Sequence, residues 1–203
     1  MNFIVVGIHT GIGKTICSAI LCNALNANYW KPIQAGDLEQ SDSIFIRNHT
    51  ENVEVFEEGY KLNIAASPHY AARCQGIEIQ LDKLTTPYSP KPLIIETAGG
   101  IMSPISDNKV LNIDFIKHLA LPVILVSENY LGSINHTLLS IDKLQRENIA
   151  IKGIVFNGDK NVETEDFILK YTQLNKIFSI PRFDLLNKTN LIEFSKTLNL
   201  NFN

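Results

Sequence analysis

The chain has 203 residues and a formal net charge of −3, with acidic and basic residues interspersed. That length fits one α/β domain with a proper core, spanning residues 1–203, and would be cramped for two. No basic block or polybasic face points to nucleic acid or to a membrane surface, and no apolar run reaches transmembrane length.

The first apolar run, residues 3–6, reads as a strand rather than a leader segment. Gly7-Ile8-His9-Thr10-Gly11-Ile12-Gly13-Lys14-Thr15 follows it and opens a helix expected over 14–25. A strand, a glycine-rich turn and a helix starting at Lys-Thr make a cradle for phosphate. Glycines let backbone N–H groups approach phosphate oxygens, and the helix N-terminus adds roughly half a unit of positive charge. Lys14 supplies a full charge to the β/γ-phosphates, and the Thr15 hydroxyl suits Mg²⁺. The pattern G-x-x-x-x-G-K-[ST] fails at Ile8, which stands where the first glycine should be, so Gly7 gives a longer loop. Cys17 and Cys22 fall in this helix as small core residues; with Cys74 they are an odd set without metal spacing, which suits a reduced, cytoplasmic protein.

A second strand is expected over 27–30, ending at Lys31-Pro32. Pro32 keeps Lys31 out of a helix, at the strand's carboxyl end, where the lysine reads either as a neutraliser of substrate charge or as an ordinary solvated side chain. Residues 35–92 are less regular, with short helices expected over 42–47 and 67–75 and a proline-punctuated loop over 85–92. Asp42 reads equally as a helix cap and as a carboxylate for a magnesium–nucleotide site. Glu96 closes the strand expected over 93–95 and precedes Thr97-Ala98-Gly99-Gly100; a buried carboxylate there needs a partner, and a cation is the partner favoured.

Strands over 122–126, 151–156 and 177–180 alternate with helices over 112–120, 135–146, 163–174 and 190–198. Short, branched, non-alternating apolar runs between helices imply a mainly parallel sheet with helices on both faces, and ligands at the carboxyl ends of its strands. Ser133 or Asn135 could cap the helix after Gly132 and leave N–H groups for an anion. Asn157, before Gly158, is either a turn residue or a reader of a nucleobase edge. Residues 199–203 form a polar tail expected to fray.

With these segments in order, the chain resembles the dethiobiotin synthetases of biotin biosynthesis. The resemblance rests on Gly7 to Thr15 with Thr10 in place, Lys31-Pro32-Ile33-Gln34, Ser41-Asp42, Ser67-Pro68-His69, Glu96 to Gly100, Leu131 to His136 and Gly153 to Asn157. It implies a P-loop NTPase-type three-layer α/β/α fold and an ATP- and Mg²⁺-dependent ligase. Its substrates would be 7,8-diaminononanoate and CO₂, joined through a carbamate and a carbamic–phosphoric anhydride that closes to the ureido ring. Thr10, Gly11, Ile12, Gly13, Lys14, Thr15 and Ile16 would hold the nucleotide phosphates, with Thr97, Ala98 and Gly99 beside them. Thr15, Asp42 and Glu96 would hold Mg²⁺; Lys14 and Lys31 would hold the transferring phosphoryl group and the carbamate. Asn157, Gly158 and Ile180-Pro181-Arg182 would lie at the adenine. Ala35 would lie at the substrate, and Gly132, Ser133 and Asn135 would take its carboxylate across a homodimer interface.

Three residues depart from that family's pattern. Ala35 replaces a Thr or Ser, Thr97 replaces a glycine and is expected to crowd the phosphates, and Gly11 replaces an acid found in some members. Two other readings share the motif: a partition-type ATPase switch, against which the absence of an early loop lysine argues, and a nucleotide-binding module with weakened catalysis. A cobyrinate-amidating ligase would need a glutaminase domain for which there is no room.

Overall fold

In the computed structural model, which describes residues 1–200 and 202, the first apolar run becomes β1 (Phe3–Gly7), buried at every position. It lies between β5 (Leu93–Gly100) and β8 (Val123–Glu128), parallel to both. Beyond β5 lies β2 (Asn28–Trp30); beyond β8 lie β9 (Ile151–Asn157) and β10 (Lys176–Ser179). The order β10-β9-β8-β1-β5-β2 is that of a six-stranded sheet in which every pairing is parallel.

Side chains alternate across each strand, and the alternation defines three layers. Ile4 and Val6 of β1 join one apolar core with Leu93, Ile95, Val123 and Leu125, while Phe3 and Val5 join the other with Ile94, Ile124 and Val126. The first core is closed by α3 (Pro68–Cys74), α4 (Asn112–Leu119), α5 (Ser133–Arg146) and α6 (Val162–Thr172), through Ala71, Phe115, Leu144 and Ile168 among others. The second is closed by α1 (Lys14–Leu25), α2 (Asp42–His49) and α7 (Lys188–Thr197), through Ile20, Ile46 and Leu191. Cys17 and Cys22 sit fully inside this second core, as expected of small apolar residues.

The irregular stretch holds more structure than its sequence announces. β3 (Ile33–Ala35) pairs in parallel with β4 (Tyr60–Leu62), and β6 (Pro104–Ser106) pairs antiparallel with β7 (Val110–Leu111). β5 also runs past its expected end. Val5 pairs with Glu96 and Gly7 with Gly100, so two steps along β1 match four along β5. The extra residues form a bulge, the usual way a strand re-aims side chains beside a site. At the other end of the chain the expected polar tail is partly docked: Leu200 packs on the second core, and the Phe202 ring lies 4.7 Å from that of Phe3. Asn201 and Asn203 lie outside the described residues.

Candidate active site

β1 ends in the loop that leads into α1, at the carboxyl edge of the sheet where a parallel fold opens its ligand crevice. Ile12 is fully buried and anchors the loop. Gly13 stands at the N-cap of α1 with φ +88°, a left-handed conformation, and a Cβ there would overlap the Asn157 amide. No side chain caps α1, whereas Ser41, Asn161 and Asn187 cap α2, α6 and α7. The first N–H groups of α1 are therefore left for a ligand.

An open cleft of about 680 Å³ lies against this loop. Thr10, Gly11, Gly13, Lys14, Thr15 and Ile16 form one wall; Lys31, Ala35, Asp42, Glu96, Ala98 and Gly99 contribute to the rest. Lys14 turns its ammonium to His9 O at 3.0 Å and is itself buried. Burial first, and the neighbouring Lys31 charge second, bring its pKa down to about 8.

Across from it three oxygen-bearing side chains converge. The Thr15 hydroxyl lies 2.6 Å from Asp42 Oδ1 and 3.0 Å from Glu96 Oε1. Lys31 pairs with both carboxylates, lying 3.0 Å from Glu96 Oε1. Glu96 is 1% exposed and Lys31 4%, so these two are shut away from bulk water, while Asp42 keeps a partly exposed edge toward the cleft. Burial alone would lower the Lys31 pKa, but the charges of Glu96 and Asp42 outweigh it and the net shift is upward. Burial alone would raise that of Asp42, but Lys31 and the Thr15 hydrogen bond outweigh it and the net shift is downward. The other Glu96 oxygen, Oε2, lies 2.8 Å from the Ser18 hydroxyl and 3.0 Å from the Tyr29 hydroxyl.

At α2 the capping falls to Ser41 and not to Asp42. Ser41 accepts from Ile44 N at 3.3 Å and does the capping, which frees Asp42, the first residue of α2, to turn toward Thr15 and Lys31. Among the described residues no three His, Cys, Asp or Glu side chains gather as a metal cluster. The donor set is two carboxylates and a hydroxyl, all hard oxygens, with their charge half offset by one cation, the Lys31 ammonium. Such a set fits Mg²⁺, which completes its shell with phosphates and water.

Other expected residues fall elsewhere. Thr97 is buried and turns its hydroxyl to Val5 O at 3.3 Å, inside the sheet; it does not crowd the cleft. Asn157 abuts the loop, donating from Nδ2 to Ile12 O at 3.0 Å, and Gly158 packs beside Glu128 and Asn129. Ile180 is taken up by the second apolar core, Pro181 is exposed, and Arg182 points outward, 85% exposed, to pair with Asp159. Neither these three nor Asn157 and Gly158 line the cleft of about 680 Å³. Nor do Gly132, Ser133 and Asn135, which open α5 on the far side of β8. There the cap is Gly132, with φ +101°, and not Ser133 or Asn135: Ser133 is buried and Asn135 is already helical. Like α1, α5 begins on a left-handed glycine with no side-chain cap.

Ser18 and Tyr29, which hold Glu96 Oε2, belong to none of the sequence motifs above. Each carried a signal. Ser18 follows Thr15 by one helical turn, and Tyr29 precedes Lys31 by two extended residues, which share a face.

The profile of a family described as an AAA domain matches residues 1–190. An ATP-dependent dethiobiotin synthetase BioD of Cytophaga hutchinsonii is 50% identical over 174 residues, covering 84% of each chain. Another of the same name, from Christiangramia forsetii, is 45% identical over 188 residues, covering 90% of each. Among solved structures, a ParA family ATPase from Chlorobium tepidum superposes with a TM-score of 0.60 at 13% identity, covering 97% of this chain and 99% of that one. That likeness is one of fold.

Proposed function

The chain belongs to the ATP-dependent dethiobiotin synthetase family, and from that premise we propose that the cleft beside the first loop is where it makes dethiobiotin from 7,8-diaminononanoate, CO₂ and ATP. The observation that carries this reading is the convergence of Thr15, Asp42, Glu96 and Lys31 beside an uncapped helix bearing Lys14.

One amine of the substrate takes up CO₂ to form a carbamate. A carbamate oxygen attacks the γ-phosphorus and ADP leaves. The second amine attacks the carbon of the resulting mixed anhydride, phosphate leaves, and the ureido ring is closed. The protein contributes position and charge. The α1 N–H groups and Lys14 bind the β/γ-phosphates, and Lys14 stabilises charge on the transferring group. Thr15, Asp42 and Glu96 would hold Mg²⁺, whose chemistry is to neutralise charge across the phosphates. Lys31, buried beside Asp42 and Glu96, would hold the carbamate. Asn157, with its Nδ2 spent on Ile12 O, presents an acceptor oxygen suited to an amino group such as that of adenine.

The working unit is a homodimer, and the start of α5 receives the carboxylate of substrate bound to the partner. Two features support this: the uncapped N-terminus at Gly132, and exposed apolar side chains, Leu131 next to that glycine and Met102 and Leu139 lining a second pocket beside His9 and Thr10.

Purified protein supplied with diaminononanoate, bicarbonate and Mg-ATP should release dethiobiotin, identified by mass. Lys31→Ala and Lys14→Ala should each slow turnover by about a hundredfold or more. ATP hydrolysis without the ring product would favour an ATPase switch instead, and full activity in Lys31→Ala would overturn the role given to that lysine.

A further inference from the structure

Glu96 is surrounded by four donors, but they are unequal. Thr15 has one hydroxyl proton to divide between Asp42 Oδ1 and Glu96 Oε1. Ser18 has one to divide between Lys14 O, at 2.9 Å, and Glu96 Oε2, at 2.8 Å. Lys31 serves Asp42 as well as Glu96. Tyr29 alone gives its proton only to Glu96, at 3.0 Å on Oε2. A phenol keeps its proton at neutral pH, so the hydroxyl is a donor to the carboxylate.

The backbone explains how a tyrosine reaches a carboxylate 67 positions away. Tyr29 pairs with Ile94 on the neighbouring strand, and Glu96 stands two residues farther along, on the same face as Ile94. The ring fills the core between the sheet and α1 and is fully buried, so it has no freedom to swing away.

We infer that Tyr29 is a positioning residue for the cation site: it pins Oε2 inward so that Glu96 offers Oε1, and only Oε1, to the metal. This rests on the reading of Thr15, Asp42 and Glu96 as the Mg²⁺ ligands. Donors that orient a ligand commonly change metal affinity by about 10–100-fold when removed.

The test uses Mn²⁺ as the probe, with free ion followed by electron paramagnetic resonance during titration of the protein with ADP. Tyr29→Phe keeps the buried ring and removes only the oxygen. It should weaken Mn²⁺ binding about tenfold while ADP binding in EDTA changes less than about twofold, a split that a general loss of structure would not give. In a Glu96→Gln background the same change should have no further effect on Mn²⁺. Undiminished Mn²⁺ affinity in Tyr29→Phe, with affinity lost in Glu96→Gln, would overturn the inference and leave the metal site standing. Undiminished affinity in Glu96→Gln would overturn the metal site and the inference with it. Should Tyr29→Phe fail to fold, Ser18→Ala decides: a loss of less than about threefold is expected from a shared donor, and a tenfold loss would give the pinning role to Ser18 instead.

Discussion

Replacing Lys31 by Met isolates what its charge does. The methionine keeps an unbranched, apolar stem of similar size, but two carboxylates lose their common counter-charge. Glu96 is 1% exposed and the Asp42 side chain 29%, so one carboxylate has almost no water to turn to and the other has some. Removing one partner of a buried ion pair costs about 3–5 kcal/mol, and the partial hydration of Asp42 favours the lower end. At about 2–4 °C per kcal/mol for a chain of this size, Lys31→Met should unfold roughly 6–12 °C below the parent protein in EDTA. Two bare carboxylates beside the Thr15 hydroxyl are also a better cation site than two that already share an ammonium. Mg²⁺ at a hundred times its dissociation constant should therefore return about 2.7 kcal/mol, most of the loss, without any nucleotide present. Differential scanning calorimetry of both proteins in EDTA and in Mg²⁺ reads this directly. A variant that melts within 2 °C of the parent in EDTA, or one that Mg²⁺ does not rescue, would refute the electrostatic account of the cluster.

Three further outcomes follow from the same geometry. Lys14 has a pKa of about 8, and a bound polyphosphate favours its charged form, so nucleotide binding raises that pKa and draws in a proton above the free-protein value. Calorimetry of ADP binding in buffers of different ionisation enthalpy should show uptake of about half a proton at pH 8, almost none at about pH 6.5, and weakening affinity above pH 8; Lys14→Arg, which does not titrate, should show no uptake. Thr97→Gly should lower the urea midpoint, corresponding to about 1–2 kcal/mol, through loss of the Val5 O bond and of a β-branched strand residue, with ADP affinity unchanged; tighter ADP binding would restore the crowding expected from sequence. Ala35→Ser should lower KM for the diamine about fivefold, the effect of one neutral hydrogen bond of about 1 kcal/mol, and an unchanged KM would remove position 35 from the substrate's surroundings.

What could be read from the sequence, and what could not, divides along physical lines. The sheet was legible because strands buried on both faces are continuous apolar runs, as in 3–6 and 122–126. β3, β4, β6 and β7 were not, because two or three residues are too few to show a period. The loop chemistry was legible because Gly13, Lys14 and Thr15 act through local geometry. Asp42 was only half legible: a carboxylate at a helix start is a cap unless something else caps, and whether Ser41 does so depends on side-chain torsions that spacing alone does not fix. Glu96 reads from sequence as a buried acid in need of a partner, but its setting does not. The apolar run ends at Ile95, yet the strand continues through Glu96 to a bulge that only the pairing with β1 reveals. That pairing also explains Thr97, since the bulge turns its side chain into the sheet while Ala98 and Gly99 line the cleft. The side chain of Ile180 goes to the core, because burial of a side chain that size is worth about 1.5–3 kcal/mol, which leaves its backbone as the part a ligand could meet. Hence a motif carries a residue reliably to a site when backbone conformation does the work, and less reliably when a side chain must choose between that site and the core.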